Sequence, residues 1–349
     1  MTVRRWQVPR AASLFSPLPS ASLRIASPTY RAELRRLLRE EQWDAVIINF
    51  VSMGWVVREL RKLTGFRRPP LVFVTHNHES TVKTEVASAF DLPTYMRIAL
   101  RYDAWKNARL EKAAITEAAL VTAITNEDRD LFQKEFSTKR IVTLTPGYNG
   151  YRVPHRLITD ETPRRAVMLG SLEWIAKQQN LLEFLRAADA EFTKRQIELQ
   201  VIGLAPPAFI SEMQKLFPWV EFTGAVPDFA PYMARARVGL MVDRVGGGFK
   251  HKNLNYIYNG VPVISMAGQT MGLPLVPGHE MIQADTSELL VQQVVSVIDD
   301  IETLNKLQSR ALAKCEPLFD WSATGRMFRR AIEDVIGRPG NSGTTTVGP

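Results

Sequence analysis

Short apolar runs separated by stretches of helical periodicity constrain this chain more than any other feature. Nine runs, at 45–50, 71–75, 120–125, 141–145, 166–170, 198–203, 220–223, 238–242 and 261–265, are short, and most are rich in Val, Ile and Leu. Between them, 31–42, 54–63, 103–118, 127–136, 179–194, 207–216, 253–259 and 287–301 space their apolar residues as amphipathic helices do. A helix between two strands lets them run parallel, and a parallel sheet needs cover on both faces. The alternation therefore predicts an α/β chain of parallel sheets flanked by helices.

At 349 residues and 45% apolar content the chain is long enough for two packed cores. A Pro-, Gly- and Arg-rich stretch at 145–165, containing Pro146-Gly147-Tyr148-Asn149-Gly150, interrupts the alternation and predicts a linker. The expected layout is a first domain at 1–150, a second at 160–316, a last helical stretch at 317–336 and a disordered tail at 337–349. No run of 18 apolar residues and no signal-peptide core is present, and the single cysteine, Cys315, agrees with a reducing compartment, so cytoplasmic residence is expected.

Charge is asymmetric. Residues 1–160 carry 25 Lys and Arg against 16 Asp and Glu, whereas the remainder carries 19 against 20. Such a bias points to a polyanion facing the first half, either nucleic acid or an anionic lipid surface. Arg31, Arg35, Arg36 and Arg39, interleaved with Leu34, Leu37 and Leu38, form a basic amphipathic helix that fits a bilayer surface or an ordinary solvated face over a core. Aromatic residues are not interleaved with the charges as a base-stacking platform requires, which argues against nucleic acid.

From Met241 to Ser265 the sequence strings together a strand, the turn Gly246-Gly247-Gly248, a basic helix start and a second strand. Glycines allow positive φ and close approach of backbone N–H groups to a ligand. A helix beginning near Phe249 would carry Lys250 and Lys252 in its first turn, so N–H groups, helix dipole and two ammonium groups converge as a phosphate or diphosphate site requires. A plain flexible turn with solvated lysines fits the same residues, and the spacing is neither a Walker A loop nor a dinucleotide fingerprint.

The segment reads G-G-G-x-[RK]-x-K-x-x-[EN]-Y/A followed by G-x-P-V-[IV]-[SA], and so resembles the donor-binding segment of the bacterial family 4 (group 1) glycosyltransferases. The resemblance, covering about 32–336, implies the GT-B fold of two Rossmann-like domains, with the last helix crossing back to the first. A first domain of that fold opens on an apolar strand and a glycine turn. Residues 1–30 carry neither, so the N-terminal domain is expected to lack its first strands. Donor-binding roles are implied for Gly247, Gly248, Phe249, Lys250, Lys252, Asn255 and Tyr256, with Asn255 standing where the family often has a ribose-holding Glu.

Three other loops match the same family. Gly170 and Ser171, with Lys177 beyond them, resemble the second half of a diphosphate clamp, Ser171 occupying a position often held by Arg. Gly224, Val226 and Pro227 resemble the loop that lines the base pocket. The run Thr75-His76-Asn77-His78-Glu79-Ser80 follows a strand, at the sheet edge where open α/β sheets bind ligands. It is similar to the family's His-Asn-x-Glu-Ser element, with His76 as the residue near the donor sugar and Asn77, His78 and Glu79 on the acceptor side. Three metal ligands from one short turn make awkward geometry, and no metal is expected. The stretch 111–128 resembles a framework motif in which Asn126 reads as a helix N-cap, and Asp128-Arg129-Asp130 sits in a first helical turn, where acidic residues suit the dipole.

The resemblance implies transfer of a sugar from a nucleoside-diphosphate donor to a glycan or lipid-linked acceptor, with retention, without metal or other cofactor, and with chemistry between the domains. His76, Lys177 and Lys252 are the expected catalytic residues. A nucleotide-sugar epimerase on the same fold would need a pair of cleft carboxylates that the sequence does not supply. A catalytically degenerate binding protein is the other rival, suggested by Ser171 and Asn255. The basic first half agrees with a role in polysaccharide biosynthesis and peripheral attachment to the inner face of the cell membrane.

Overall fold

The computed structural model describes residues 8–63, 68–89, 93–153, 156–244 and 248–337. The chain divides into two compact units, Met1–Pro146 with Ser322–Pro349, and Gly147–Trp321. Apart from Gly337, the tail expected at 337–349 lies outside the described residues, as does Gly247.

Unit 1 is built on four parallel strands in simple consecutive order, β1 (Val46–Asn49), β2 (Leu71–Val74), β3 (Leu120–Ala123) and β4 (Ile141–Thr143). Among the described residues no strand precedes β1; a 3-10 turn (Arg10–Phe15), α1 (Ser20–Ile25) and α2 (Pro28–Glu40) come first. The connections are α3 (Val56–Leu60), then α4 (Glu79–Ala89) with α5 (Thr94–Glu117), then α6 (Asn126–Glu135). Alternation along the strands sends Leu71, Phe73, Val121 and Ala123 into one core with Leu38, Leu60, Ile115 and Phe132.

Local chemistry explains the helix starts. Ser27 caps α2 by accepting from the Tyr30 N–H at 3.2 Å, with Pro28 in the first turn. Thr125, not Asn126, caps α6: its hydroxyl accepts from the Asp128 N–H at 3.0 Å and donates to the Asp128 carboxylate at 2.9 Å. Asn126 instead accepts from the Thr143 hydroxyl. The α2 arginines are also placed otherwise than a bilayer face needs. Arg35 makes a two-pronged contact with buried Glu59 at 2.7 and 3.0 Å, Arg31 lies over the Trp55 ring, and Arg36 bridges Glu33 and Glu40.

Unit 2 carries six parallel strands, β5 (Arg165–Leu169), β6 (Glu198–Ile202), β7 (Val220–Gly224), β8 (Val238–Met241), β9 (Val263–Met266) and β10 (Ile282–Ala284). Their spatial order is β7-β6-β5-β8-β9-β10, the doubly wound dinucleotide-fold order 3-2-1-4-5-6 counted within the unit. The helices are α7 (Ile175–Arg195), α8 (Pro207–Leu216), α9 (Ala230–Ala234), α10 (His251–Tyr258), α11 (Ser287–Val297) and α12 (Ile301–Cys315). The helix expected at 287–301 ends at Val297, and a further helix begins at Ile301, where Asp300 accepts from the Thr303 N–H at 3.0 Å. A last helix, α13 (Trp321–Ile336), lays Ala331, with Phe328, Ile332 and Val335, over Val72 and Leu120 on the other face of the unit 1 sheet.

Candidate active site

The strand order of unit 2 reverses between β5 and β8, and in an open α/β sheet this is where a crevice opens at the C-terminal ends of the strands. β5 and β8 pair only at Ala166–Val238 and Val167–Gly239 before they part. The Tyr256 hydroxyl fills the gap, accepting from the Leu169 N–H at 2.7 Å and donating to the Leu240 carbonyl at 3.2 Å. Gly239 makes room for the ring, since a Cβ there would lie 2.6 Å from Tyr256 Cδ1. Tyr256 is fully buried, so the residue expected to touch the donor instead holds the floor of the crevice.

Above that floor Lys252 pairs with the carboxylate of Asp243, two residues beyond β8, and Lys177 and Lys250 are close enough to act on it electrostatically. Lys252 Nζ lies 2.9 Å from Asp243 Oδ2. It also reaches the first loop, because a Cβ added at Gly170 would sit 3.9 Å from it. Burial alone would raise the Asp243 carboxyl, but the charges of Lys252, Lys177 and Lys250 hold it below the usual range. Burial, then repulsion from Lys252, pushes the Lys177 ammonium below the ordinary lysine range against the pull of Asp243. Lys250 is lowered by burial and by its two lysine neighbours, with Asp243 opposing. Three lysines thus act on one carboxylate, a local excess of positive charge. No side chain among the described residues caps α10, so its first-turn N–H groups and dipole add positive potential nearby.

β5 and β6 end on glycines that press against each other. Gly170 has φ 142° and Gly203 φ 143°, and a Cβ at Gly203 would collide with the Gly170 carbonyl. The loop after β7 begins at Gly224, also at positive φ, whose carbonyl accepts from the Gly203 N–H at 2.9 Å. Beyond it Val226 packs inward and Pro227 is exposed. Ser171 is half-buried and donates to Glu173 at 2.9 Å. Gly248 has φ 77°, Phe249 packs on Phe319 at 5.5 Å, and Asn255 is half-buried in α10.

In unit 1, His76 follows β2, and its Nε2 lies 2.7 Å from Asn49 Oδ1 at the end of β1. Phe50, whose ring packs on His76 at 5.2 Å, holds φ 76° and ψ 147°, a conformation that costs a non-glycine residue about 1–3 kcal/mol. The next residues turn inward. Asn77 donates to Glu79 at 2.9 Å, and Glu79 and His78 are both buried. His78 packs on Phe132 and makes 2.8 and 3.1 Å contacts with the Thr81 and Ser80 hydroxyls through Nδ1; its Nε2 is 3.3 Å from Glu135 but outside hydrogen-bond geometry. Glu111 accepts from the Glu79 and Ser80 N–H groups, both at 3.0 Å, anchoring the start of α4. His78 and Glu79, expected on the acceptor side, therefore brace the loop that carries His76. Among the described residues no three His, Cys, Asp or Glu side chains group as a metal site requires.

Residues 163–303 match the family model described as glycosyl transferases group 1, and residues 7–149 match that of glycosyltransferase family 4. The chain belongs to the group 1 glycosyltransferases. No curated protein sequence matches it. Solved structures share the fold: Staphylococcus aureus TarM at 12% identity and TM-score 0.64, covering 86% of this chain and 58% of TarM. This chain thus spans little more than half of TarM. Sucrose-phosphate synthase from Thermosynechococcus elongatus aligns at 19% identity and TM-score 0.64, covering 94% and 81%, and Anabaena HepE in complex with UDP at 14% and 0.60, covering 90% and 84%.

For this group 1 family member, sequence reasoning missed Asp243, Gly203, Asn49 and Phe50. Asp243 follows a strand and precedes the glycine turn, so a carboxylate directly after an apolar run was the available signal. Phe50 gave none, because nothing in its residue type announces a positive φ.

Proposed function

We propose that the chain transfers a sugar from a nucleoside-diphosphate donor to a glycan or lipid-linked acceptor, with retention of configuration and without a required divalent metal. The Lys252–Asp243 pair at the β5–β8 switch point, beside the Gly170 loop and within the field of Lys177 and Lys250, carries this reading. In the transfer, the bond between the anomeric carbon and the diphosphate oxygen breaks as one to the acceptor oxygen forms. The difficulty is the charge that develops on the leaving diphosphate. Lys177 and Lys252, with the α10 dipole, offer preorganised positive potential for it, and the leaving phosphate takes the acceptor proton. The Gly170–Gly203 shelf admits the diphosphate closely, and Gly224 with Pro227 borders the base. Complexes of neighbouring structures with UDP and UDP-glucose support a nucleotide-sugar donor, and a TarM complex with UDP and α-GlcNAc-glycerol supports a glycan acceptor.

The test is turnover of the full chain across a panel of nucleoside-diphosphate sugars, read as released diphosphate with and without chelator. Lys252→Ala is expected to lower kcat/KM about 100-fold, the scale of removing one preorganised group from a transition state. Activity insensitive to chelator agrees with the proposal. Unchanged turnover in the variant, or strict dependence on added metal, contradicts it. His76, which we assign to the transfer step, gives a second readout: His76→Ala is expected to lower kcat while leaving nucleoside-diphosphate affinity intact.

A further inference from the structure

The helix that sequence reasoning offers to a bilayer, α2, pairs three of its four arginines inside unit 1 or along its own surface. A run of exposed apolar side chains lies instead on the N-terminal half of α5. There Tyr95 is 73% exposed, Ile98 63%, Trp105 50% and Tyr102 39%. These four, with Arg109, recur at i, i+3, i+7, i+10 and i+14, which at 3.6 residues per turn places them within an arc of about 80°. On the opposite side of the helix Ala104, Asn107 and Glu111 are buried, although Leu100, one turn earlier on that side, is exposed.

The stripe is ordered by its own contacts. Tyr102 and Trp105 stack at 5.7 Å, and the Arg109 guanidinium lies 4.8 Å above the Trp105 ring. Two hydrogen bonds bring the N-terminal segment alongside: Lys106 donates to the Ser13 carbonyl at 2.6 Å, and Asp103 accepts from the Ser20 N–H at 2.7 Å. Phe15, on that segment, is 93% exposed. Asp103, held by Ser20 and Asn107, is the only acidic residue between 94 and 109, against Arg97, Arg101 and Arg109, while Lys106 is buried beside it.

We propose that this face of α5 docks unit 1 on a membrane surface bearing anionic phospholipid headgroups. Tyr and Trp suit the boundary between acyl chains and headgroups, and Arg stems cover apolar surface while their charge stays with the lipid phosphates. An exposed apolar stripe with a basic border and its one acid turned inward has the charge complementarity for that partner. No described helix is long and apolar enough to cross a membrane, and in this proposal α5 lies in the interface plane. The inference rests on this surface alone and not on the transfer reaction.

The experiment is co-sedimentation of the full chain with vesicles of phosphatidylglycerol and phosphatidylcholine, against phosphatidylcholine alone, with Trp fluorescence as a second readout. The wild-type chain is expected to partition onto anionic vesicles with a blue-shifted emission and to be released by high salt. The exposed triple substitution Tyr95→Ser, Ile98→Ser, Trp105→Ser, and separately Arg97→Glu with Arg101→Glu, should each reduce partitioning about tenfold or more with thermal unfolding unchanged. Arg36→Gln with Arg39→Gln on α2 should leave it unaltered. Absent binding, equal binding of both α5 variants, or a wild-type dimer that these variants dissolve while vesicles capture nothing, would overturn the proposal. Nucleoside-diphosphate affinity of the α5 variants should equal wild type, which separates this result from failure of the donor site.

Discussion

Glu111 shows how a framework residue can leave a mark in solution. Burial pushes its carboxyl up to about 7, more than the Glu79 and Ser80 N–H groups pull it down. A carboxyl raised on folding favours the protonated state, so its contribution to stability is full below the unfolded value near 4.5 and disappears as pH rises through 7. Unit 1 should therefore lose on the order of 3 kcal/mol between those limits from this group. Thermal unfolding of Glu111→Gln against wild type at pH 5 and pH 8 measures it, and a pH-independent difference between the two would refute the assignment. For the lysines the sign falls on binding. Lys177 and Lys250 lose their protons below the ordinary lysine range, so nucleoside-diphosphate affinity should weaken as pH climbs toward that range, and less steeply in Lys177→Met. Tyr256→Phe leaves the Leu169 N–H and Leu240 carbonyl without their buried partner. Unfolding should show a loss of about 1–3 kcal/mol with ligand affinity kept, whereas a Tyr256 that touched the donor would give the reverse pattern.

At the scale of elements, α13 is the cover for one face of the unit 1 sheet. Ala331→Asp would bury a charge against Val72 and Leu120, and should destabilise unit 1 by about 2–3 kcal/mol without altering nucleoside-diphosphate binding. A parallel loss of binding in calorimetry would tie α13 to the donor site instead. Most strands were readable because runs such as 71–74 are continuously apolar, carry β-branched valines and are framed by helical spacing. β10 was not: Ile282-Gln283-Ala284 has too few apolar residues to register and is a strand because β9 pairs with it. α4 escaped notice because its sequence has little apolar periodicity, its start being fixed by Glu111 from α5. The glycine and lysine positions of the site were legible as motifs. The inward turn of Tyr256, the burial of His78 and the place of Asp243 depend on contacts between segments far apart in sequence, which no local pattern records.

For the molecule as a whole, charge is distributed unevenly, with a positive excess in residues 1–160 and a near-neutral remainder. Part of the excess faces outward on α5, while unit 2 concentrates its useful charge in one small cluster at a strand-order reversal. Net charge summed over the chain thus hides the local clustering on which the proposed function rests. The central claim is that a nucleoside diphosphate binds on Lys177 and Lys252 at the β5–β8 crevice. Titration calorimetry of the full chain with nucleoside diphosphates and the matching monophosphates tests it directly. The account predicts saturable diphosphate binding, at least about tenfold weaker for the monophosphate and weakened to a similar degree in Lys177→Met and Lys252→Met. Diphosphate affinity unchanged in both variants, or no binding of any nucleoside diphosphate by the wild-type chain, would contradict it.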